Sequence, residues 1–348
     1  MLRVIQVGMG GWGRDWAKRV LRQDDEVALV ACVDADAASL ALARRQLGRS
    51  AHGYFESLAA ALAATDAEAV LITASLPGHV PLAVEALRTG KHVLLEKPFA
   101  PSVAEAQEVV ELAAEHDRVL MISQNYRFFP AVQAARDLVR SGSLGKVGSV
   151  SVDFRRYANG AAREGHRHYT LHQPLLADMA IHHFDLMRAV LGQEPVEIAC
   201  RASNPPWSNF DEPAAASALI EFDGGTVVSY RGSWVSLGPQ TAWAGEWRIE
   251  CVGGEIAWTS RDNRGASVDR VTVRPLGKRA RRLELPAPVH IDRAGSLRAF
   301  AKAVATGEQP ESSGRDNLGS ISLMNAAIRA ASTRESVRIK DVNQELPV

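Results

Sequence analysis

The sequence predicts two domains, an α/β domain with a parallel sheet and then an α+β domain with a mainly antiparallel, open sheet. Two observations carry this prediction. Up to about residue 125, short and continuously apolar runs alternate with Ala-rich amphipathic segments, which is typical of parallel strands covered by helices on both faces. Beyond that point, apolar runs alternate with period two and are joined by glycine turns, as antiparallel strands are. We therefore divide the 348 residues into domains 1–125 and 126–348.

The first domain is predicted to alternate strands with helices. Apolar residues recur at helical spacing in residues 12–23, 36–47, 57–64, 79–89 and 102–116. Gly90 follows the fourth of these helices, where a C-terminal glycine is expected. The strands are the apolar runs Leu2–Val7, Val27–Asp34, Ala69–Ala74, Val93–Glu96 and Val119–Ser123.

The second domain is predicted to pair its strands through tight turns at residues 223–225 and 253–254. A basic cluster at residues 278–282 lies between two strand-like runs, so we interpret it as a solvated hairpin turn. The predicted helices are residues 174–191, 293–306 and 315–333. The predicted strands are Val147–Phe154, Ala218–Phe222, Thr226–Trp234, Trp247–Val252, Glu255–Trp258 and Val268–Arg274.

Charge and composition exclude several classes of protein. The chain carries 40 basic and 40 acidic residues, whereas a nucleic-acid binder usually has a clear basic excess. The most apolar stretch, residues 58–64, is far too short to span a bilayer, and a strand at Leu2 leaves no room for a signal peptide. The three cysteines are widely spaced and fit neither a disulfide framework nor a zinc site. We therefore expect a reduced, cytoplasmic protein that binds neither nucleic acid nor membrane.

The first predicted strand leads into a glycine-rich turn that opens a helix. Gly8, Gly10 and Gly13 have GxGxxG spacing, which in this context indicates a Rossmann dinucleotide-binding domain. The first glycine allows the tight turn, the second lets a pyrophosphate approach the helix N-terminus, and the third allows close helix–strand packing. Gly11 and Trp12 lie in the same turn and are further candidate cofactor contacts.

The second predicted strand ends at Asp34, 21 residues beyond Gly13. A carboxylate at this position accepts hydrogen bonds from the ribose hydroxyls and repels a 2′-phosphate, which favours NAD over NADP. The alternative is an ordinary strand–helix turn in which Asp34 caps the following helix.

Three further segments lie at the carboxyl edge of the predicted parallel sheet, where open α/β sheets bind ligands. We expect the first two segments to contact the cofactor and the third to contact the substrate. Their candidate residues are Ser75 and His79, then Glu96 and Lys97, and then Tyr126 and Arg127.

These segments, in this order after a GxGxxG turn, resemble the glucose–fructose oxidoreductase / inositol dehydrogenase (Gfo/Idh/MocA) family over nearly the whole chain. The most specific part is Glu96-Lys97-Pro98 after an apolar strand, and residues 312–318 also resemble the family's C-terminus. The resemblance implies that Lys97 is catalytic and contacts both cofactor and substrate. The Lys–Pro bond of the motif is often cis in this family, so the resemblance also implies a cis bond between Lys97 and Pro98. A surface lysine before a turn proline is the alternative.

Helix 174–191 is predicted to carry a polar stripe. Asp178, His182 and Asp185 are spaced i, i+4 and i+7 and would share one helix face. A buried helix rarely carries such a stripe without a partner, because unpaired buried charge is costly. Family members have an Asp-x-x-x-His pair here that faces nicotinamide and substrate, which implies catalytic and substrate-binding roles for Asp178 and His182. His183 points elsewhere and is interpreted as structural; a solvated helix face is the alternative for the whole stripe.

Residues 172–177 depart from the family pattern, because many members have a glycine pair before the aspartate. The substrate of any one member therefore does not transfer to this chain. Five histidines between His166 and His183 make a metal site worth considering. No Cys or Glu stands at ligand spacing, so we expect acid–base and hydroxyl-binding roles and no metal.

Together these residues suggest reversible hydride transfer between NAD and a secondary alcohol of a sugar, cyclitol or related polyol. His182 would be the general base because imidazole titrates near neutrality. Lys97 would stabilise the developing alkoxide, and Asp178 would orient His182 or bind a neighbouring hydroxyl. The remaining candidate substrate contacts are Tyr126, Arg127, His166, His168 and Tyr169.

Two other functions stay open at this point. A regulator that keeps the dinucleotide fold would have no reason to retain the acid–base residues. An NAD-dependent glycoside hydrolase, which oxidises its sugar transiently, is not separable from a dehydrogenase by sequence. The antiparallel sheet predicts a homo-oligomer, a dimer or tetramer, with Trp207, Trp234, Trp243, Trp247 and Trp258 at an interface or in the core.

Overall fold

The computed structural model describes residues 1–48, 53–164, 166–263 and 268–342. The described residues form two compact units, the first within residues 1–125 and 290–318 and the second within residues 126–289 and 319–342. The sequence-based division assigns residues 290–318 to the second domain, so the structure differs there. The reason is a long-range pairing: Ile122 N donates to Ser312 O at 2.9 Å, and Ser312 Oγ donates to Ile122 O at 2.8 Å.

The first unit is built on a six-stranded parallel sheet with strand order β3-β2-β1-β4-β5-β6. Its strands are β1 (Leu2–Val7), β2 (Val27–Val33), β3 (Gly53–Phe55), β4 (Ala69–Ile72), β5 (His92–Leu95) and β6 (Leu120–Ile122). Its first helices are α1 (Gly11–Arg19), α2 (Ala37–Leu47), α3 (Leu58–Ala64), α4 (Leu76–Arg88) and α5 (Val103–Glu115). The three-residue edge strand β3 is absent from the sequence prediction, because it is too short to show a periodic pattern.

The second unit contains a nine-stranded sheet in which all neighbours are antiparallel except β7 and β10. The helices that follow α5 are α6 (Pro130–Arg140), α7 (Ala180–Leu191), α8 (Asp292–Thr306, in the first unit), α9 (Gly314–Thr333) and α10 (Ile339–Val342). The strands are β7 (Val147–Arg155), β8 (Pro195–Ser203), β9 (Ala215–Phe222), β10 (Val227–Ser233), β11 (Glu246–Cys251), β12 (Gly254–Thr259), β13 (Arg270–Pro275), β14 (Arg281–Arg282) and β15 (Val337–Arg338). The sheet order is β14-β13-β12-β11-β7-β10-β9-β8-β15.

The predicted fold class is confirmed, with two local differences in the second unit. Helix α7 begins at Ala180 rather than at residue 174, because residues 174–179 form consecutive turns. Strands β8, β14 and β15 and helices α6 and α10 are absent from the sequence prediction, and β14 includes the last two residues of the basic cluster that was predicted as a hairpin turn. Three of the five tryptophans, Trp234, Trp247 and Trp258, are buried in the core of this unit, whereas Trp207 is half exposed.

The described part of the chain contains no helix with the length and apolarity needed to cross a bilayer.

Candidate active site

The glycine-rich turn joins β1 to α1 at the carboxyl edge of the parallel sheet. Gly8 has a φ of +94°, in the region that favours glycine, and a Cβ there would lie 2.4 Å from the backbone N of Ala74. A Cβ on Gly13 would lie 1.8 Å from the carbonyl oxygen of Gly8. In contrast, a Cβ built on Gly10 or Gly11 has no atom of the described residues within 4 Å apart from those of its chain neighbours and of the backbone of its own helix. The turn is therefore packed tightly on its inner side and open on its outer side, as a cradle for a pyrophosphate requires.

Replacing Gly13 by alanine is expected to lower the free energy of unfolding by at least about 2 kcal/mol, because backbone must move to relieve the contact with Gly8. Gly11→Ala is the matched control, since the space around its Cβ is open. Urea unfolding without cofactor measures both variants. Equal midpoints for the two variants would contradict the packing role of Gly13.

Two buried polar side chains hold this turn in place. Gln6 Nε2 donates to Gly13 O at 2.7 Å and to Thr73 Oγ1 at 3.0 Å. The Thr73 hydroxyl lies 2.7 Å from the carbonyl oxygen of Gly8 and donates to it. Both residues were missed from the sequence, although a glutamine inside the apolar strand β1 was a signal that could have revealed one of them.

Asp34 follows β2 and faces the glycine turn. Its Oδ2 accepts a hydrogen bond from Met9 N at 2.6 Å, and its Oδ1 accepts one from Asp36 N at 2.9 Å. These contacts fix a half-buried carboxylate beside the open outer side of the turn. A carboxylate acceptor next to an open glycine cradle fits the ribose and pyrophosphate of a dinucleotide, so the residues present fit the predicted cofactor.

Glu96, Lys97 and Pro98 follow β5 at the same edge of the sheet. The Lys97–Pro98 peptide bond is cis, in agreement with the resemblance. Glu96 is buried and accepts a hydrogen bond from Trp16 Nε1 at 2.7 Å, which ties this turn to helix α1. Burial raises the pKa of Glu96, while the Lys97 charge and the indole donors of Trp16 and Trp12 act in the opposite direction.

His79 supports the cis turn from helix α4. Its Nδ1 lies 2.7 Å from Pro98 O and its Nε2 lies 3.1 Å from Ala74 O, and burial lowers the pKa of its imidazole. Both ring nitrogens therefore face the backbone, which gives His79 a positioning role in this turn, and its cofactor contact stays a prediction. Ser75, at the start of the same helix, is exposed.

In the second unit, Tyr126 and His182 stack face to face. Their ring centroids are 4.0 Å apart and the ring planes differ by 2°. Both side chains are buried. His182 lies in the first turn of α7, whereas Asp178 is half buried and precedes the helix. The predicted stripe therefore contains only His182 and Asp185 on the helix itself, because the chain turns before Ala180.

Asp185 finds its partner in Arg127. The Arg127 guanidinium donates from Nε to Asp185 Oδ2 at 2.7 Å and from a terminal nitrogen to Oδ1 at 2.6 Å. Ser320 Oγ donates to the same Oδ1 at 2.8 Å. Both charged groups are buried, so breaking the pair would leave an uncompensated charge. This pair gives Arg127 a structural role that anchors Tyr126 beside α7, and its substrate contact stays a prediction.

His183 is fully buried, as its structural interpretation requires. Its Nδ1 lies 3.1 Å from the Tyr230 hydroxyl and its Nε2 lies 3.0 Å from Trp243 O. A neutral ring that donates from Nε2 and accepts at Nδ1 satisfies both contacts. Burial lowers the pKa of His183 to about 4.

This low pKa predicts an acid-sensitive contribution to stability. Between pH 6.5 and 4 only the unfolded chain protonates His183, so the free energy of unfolding falls by about 3 kcal/mol as pH falls through this range. Above pH 6.5 the contribution is fully present. Urea unfolding at pH 7, 6 and 5 should show a shallower pH dependence for His183→Gln than for wild type. His116→Gln, at an exposed position, should retain the wild-type slope.

The remaining predicted substrate contacts differ in their surroundings. His168 is half buried between the rings of Phe210 and Trp234, and burial lowers the pKa of its imidazole. His166 packs on Tyr169 with ring centroids 4.4 Å apart. The Tyr169 side chain is buried and its hydroxyl is hydrogen-bonded to the backbone of Ala161, so it has a structural contact here, and its substrate contact stays a prediction.

Residues 1–48, 53–164, 166–263 and 268–342 contain no group of three or more His, Cys, Asp or Glu side chains that could hold a metal ion.

The glycine turn, the acidic residue after β2 and the parallel sheet define the first unit as a dinucleotide-binding domain, joined here to an α+β unit with an open sheet. Family comparison agrees with this class. Residues 2–124 match the family described as "Oxidoreductase family, NAD-binding Rossmann fold", and residues 132–257 match the GFO/IDH/MocA C-terminal domain. The chain belongs to the Gfo/Idh/MocA family and is an NAD-binding oxidoreductase.

Curated relatives are similar over most of their length. Inositol 2-dehydrogenase of Rhizobium meliloti (strain 1021) is 25% identical over 360 residues, which cover 96% of this chain and 98% of that protein. dTDP-3,4-didehydro-2,6-dideoxy-alpha-D-glucose 3-reductase of Streptomyces violaceoruber is 28% identical over 352 residues, with 97% and 95% covered. Among solved structures, an oxidoreductase from Agrobacterium radiobacter in complex with NAD+, L-tartaric acid and magnesium has a TM-score of 0.84 and 20% identity, covering 98% of this chain and 99% of that one. At this identity the structural likeness concerns the fold.

Proposed function

We propose that this protein transfers a hydride reversibly between NAD and a secondary alcohol of a sugar, cyclitol or related polyol. The observation that carries the proposal is the buried His182 held flat against Tyr126 in the first turn of α7. An imidazole fixed in this way is suited to act as a general base toward a hydroxyl group. The similarity to an inositol 2-dehydrogenase and to a sugar-nucleotide reductase supports a polyol or sugar substrate.

Each unit supplies residues with a defined chemical role. NAD, when bound, would supply the hydride chemistry. Gly10 and Gly11 would leave room for its pyrophosphate, and Asp34 would accept hydrogen bonds from its ribose. His182 would take the hydroxyl proton on its imidazole nitrogen, and the role proposed for the Lys97 ammonium is to stabilise developing negative charge on the substrate. Asp178 orients His182 or binds a neighbouring hydroxyl.

Tyr126 and Arg127 fix the orientation of the base. The Tyr126 ring covers one face of His182, while the adjacent Arg127 is locked to Asp185 one turn further along α7. Because both neighbours are held by packing and charge, the imidazole meets its substrate without reorganisation, which is how a preorganised base lowers a barrier.

A panel of sugars, inositols and their phosphates with NAD tests the proposal. We expect NADH to accumulate, measured by its absorbance, with at least one neutral or anionic polyol. Cleavage of aryl glycosides without net NADH would instead assign the chain to the NAD-dependent glycoside hydrolases. Binding of NAD without turnover of any panel member would favour a non-catalytic regulator.

Assembly as a dimer or tetramer and a cytoplasmic location stay predictions. The outer face of the nine-stranded sheet carries exposed Leu219 and Val227, which supports contact with a second copy. Light scattering of the purified protein measures the assembly directly.

A further inference from the structure

Two arginine side chains of the second unit converge on one tryptophan. Arg156, directly after β7, places its guanidinium carbon 4.2 Å from the ring centroid of Trp243. Arg261, shortly after β12, places its guanidinium carbon 5.6 Å from the same ring. Arg261 also lies over the Tyr126 ring, at 4.5 Å, and donates to the Tyr126 hydroxyl at 2.7 Å. Since Tyr126 stacks on His182, Arg261 lies one ring away from the proposed base.

The Arg156 guanidinium is buried with part of its hydrogen-bonding capacity unused. The side chain is 7% exposed, and one terminal nitrogen donates to Gln240 Oε1 at 3.2 Å. The other terminal nitrogen and Nε are buried and have no hydrogen-bond partner among the described residues. Such groups carry a desolvation penalty that an acceptor from a ligand would remove. Burial also lowers the pKa of Arg156, so the folded protein holds this charge at a cost.

Acidic residues also lie near the two arginines. Asp262 attracts the Arg156 charge, while Arg261 repels it. The Asp269 carboxylate accepts hydrogen bonds from Arg261 N at 2.9 Å and from the Ser260 hydroxyl. The preceding Arg155 differs from Arg156 because it is paired with a carboxylate. It donates to Glu246 Oε2 at 3.0 Å and to Pro239 O at 3.1 Å.

Arg261 and Trp243 are held firmly enough to form a binding surface. Arg261 has a φ of +62°, a conformation that costs of order 1 kcal/mol or more in a non-glycine residue. The hydrogen bond from its backbone N to Asp269 keeps it there. Trp243 N donates to Arg261 O at 3.0 Å, and Trp243 Nε1 donates to Asn263 Oδ1 at 2.6 Å. Both side chains are half buried, which leaves part of each accessible.

We propose that Arg156, Arg261 and Trp243 form a subsite for an anionic group, a carboxylate or a phosphate, on the polyol substrate. The inference rests on the proposed function, whose substrate class it narrows to acidic or phosphorylated polyols. Planar guanidinium groups match carboxylate and phosphate oxygens in geometry and charge. The Trp243 ring supplies an apolar wall for the C–H face of the substrate.

Calorimetric titration of the NAD-saturated full chain tests the subsite with two matched sugar series. The probes are D-glucose, D-glucuronate and D-glucose 6-phosphate, and the three galactose counterparts. We expect at least one anionic probe to bind at least tenfold more tightly than the neutral sugar of its series. A preference for the uronates assigns a carboxylate, and a preference for the 6-phosphates assigns a phosphate. Equal affinities of neutral and anionic probes, or binding of none, would overturn the subsite.

Substitutions of single arginines then test which residues cause the tighter binding of the anionic probes. Arg156→Gln should reduce the preference for the anion to less than twofold, while Arg155→Gln, the same change one residue earlier at an ion-paired arginine, should retain it. Arg261→Gln supplies a second, independent variant if Arg156→Gln unfolds, as judged by its urea midpoint. An anion preference that persists in a folded Arg156→Gln or Arg261→Gln protein would refute the assignment.

The anionic subsite and the proposed function can be disproved independently of each other. If the subsite is wrong but the function is right, wild type reduces NAD with neutral polyols and shows no anion preference. If the function is wrong, no probe or panel member yields NADH, whatever the binding preference. Salt gives a further check, because raising ionic strength weakens uronate or phosphate binding and leaves the affinity for the neutral sugar unchanged.

Discussion

Lys97→Met should lower turnover by roughly a thousandfold while leaving the affinity for NAD within a few-fold of wild type. The substitution keeps the length of the side chain and removes the ammonium group that would stabilise the developing alkoxide. Lys97 follows β5 in the turn that contains the cis bond to Pro98, and buried Glu96 ties this turn to α1. The turn itself should therefore survive the substitution. Initial rates of NADH formation and titration with NAD measure the two effects separately.

Lys91→Met is the matched control, because Lys91 lies directly before the other end of β5. This variant should retain wild-type turnover. Turnover of Lys97→Met within tenfold of wild type would remove Lys97 from the mechanism. A loss of NAD affinity as large as the loss of turnover would assign it to cofactor binding alone.

His182→Asn should lower turnover by roughly a hundred- to ten-thousandfold, the range expected for loss of a general base. Asparagine keeps a polar group of similar size against Tyr126 but does not accept the substrate proton at neutral pH. The pH profile provides the more specific readout. In wild type, kcat/KM should rise with pH as the imidazole loses its proton, and this limb should be absent from the residual activity of the variant.

His172→Asn is the control for this experiment, since the His172 side chain is 79% exposed and paired with Glu212 at the surface. It should keep both the rate and the pH profile of wild type. If His182→Asn retains the acidic limb of the profile, another group must be the base, whatever the loss in rate.

The cofactor site could be predicted from the sequence because its signals are local. The spacing of Gly8, Gly10 and Gly13 and the position of Asp34 lie on a single β1–α1–β2 segment, where chain geometry alone brings them together. The structure shows why two of the glycines are required, through the contacts that a Cβ on Gly8 or Gly13 would make.

The second unit was harder to predict because its important contacts join distant parts of the chain. Helical spacing placed Asp178, His182 and Asp185 on one face, but the helix begins at Ala180 and Asp185 is paired with Arg127. Periodicity reports which residues share a face only if the helix covers all of them. It does not report which charged residue from elsewhere lies opposite that face.

The sequence by itself determined the fold class, the dinucleotide turn and the candidate catalytic residues, since these depend on spacing along short segments. Only the tertiary structure shows that His79, Arg127 and Tyr169 are held by internal contacts. It also brought Arg156 and Arg261 to Trp243, from positions more than a hundred residues apart in the chain. The physical reason is that charge pairing and burial depend on which distant segments pack together, and packing leaves no local pattern in the sequence.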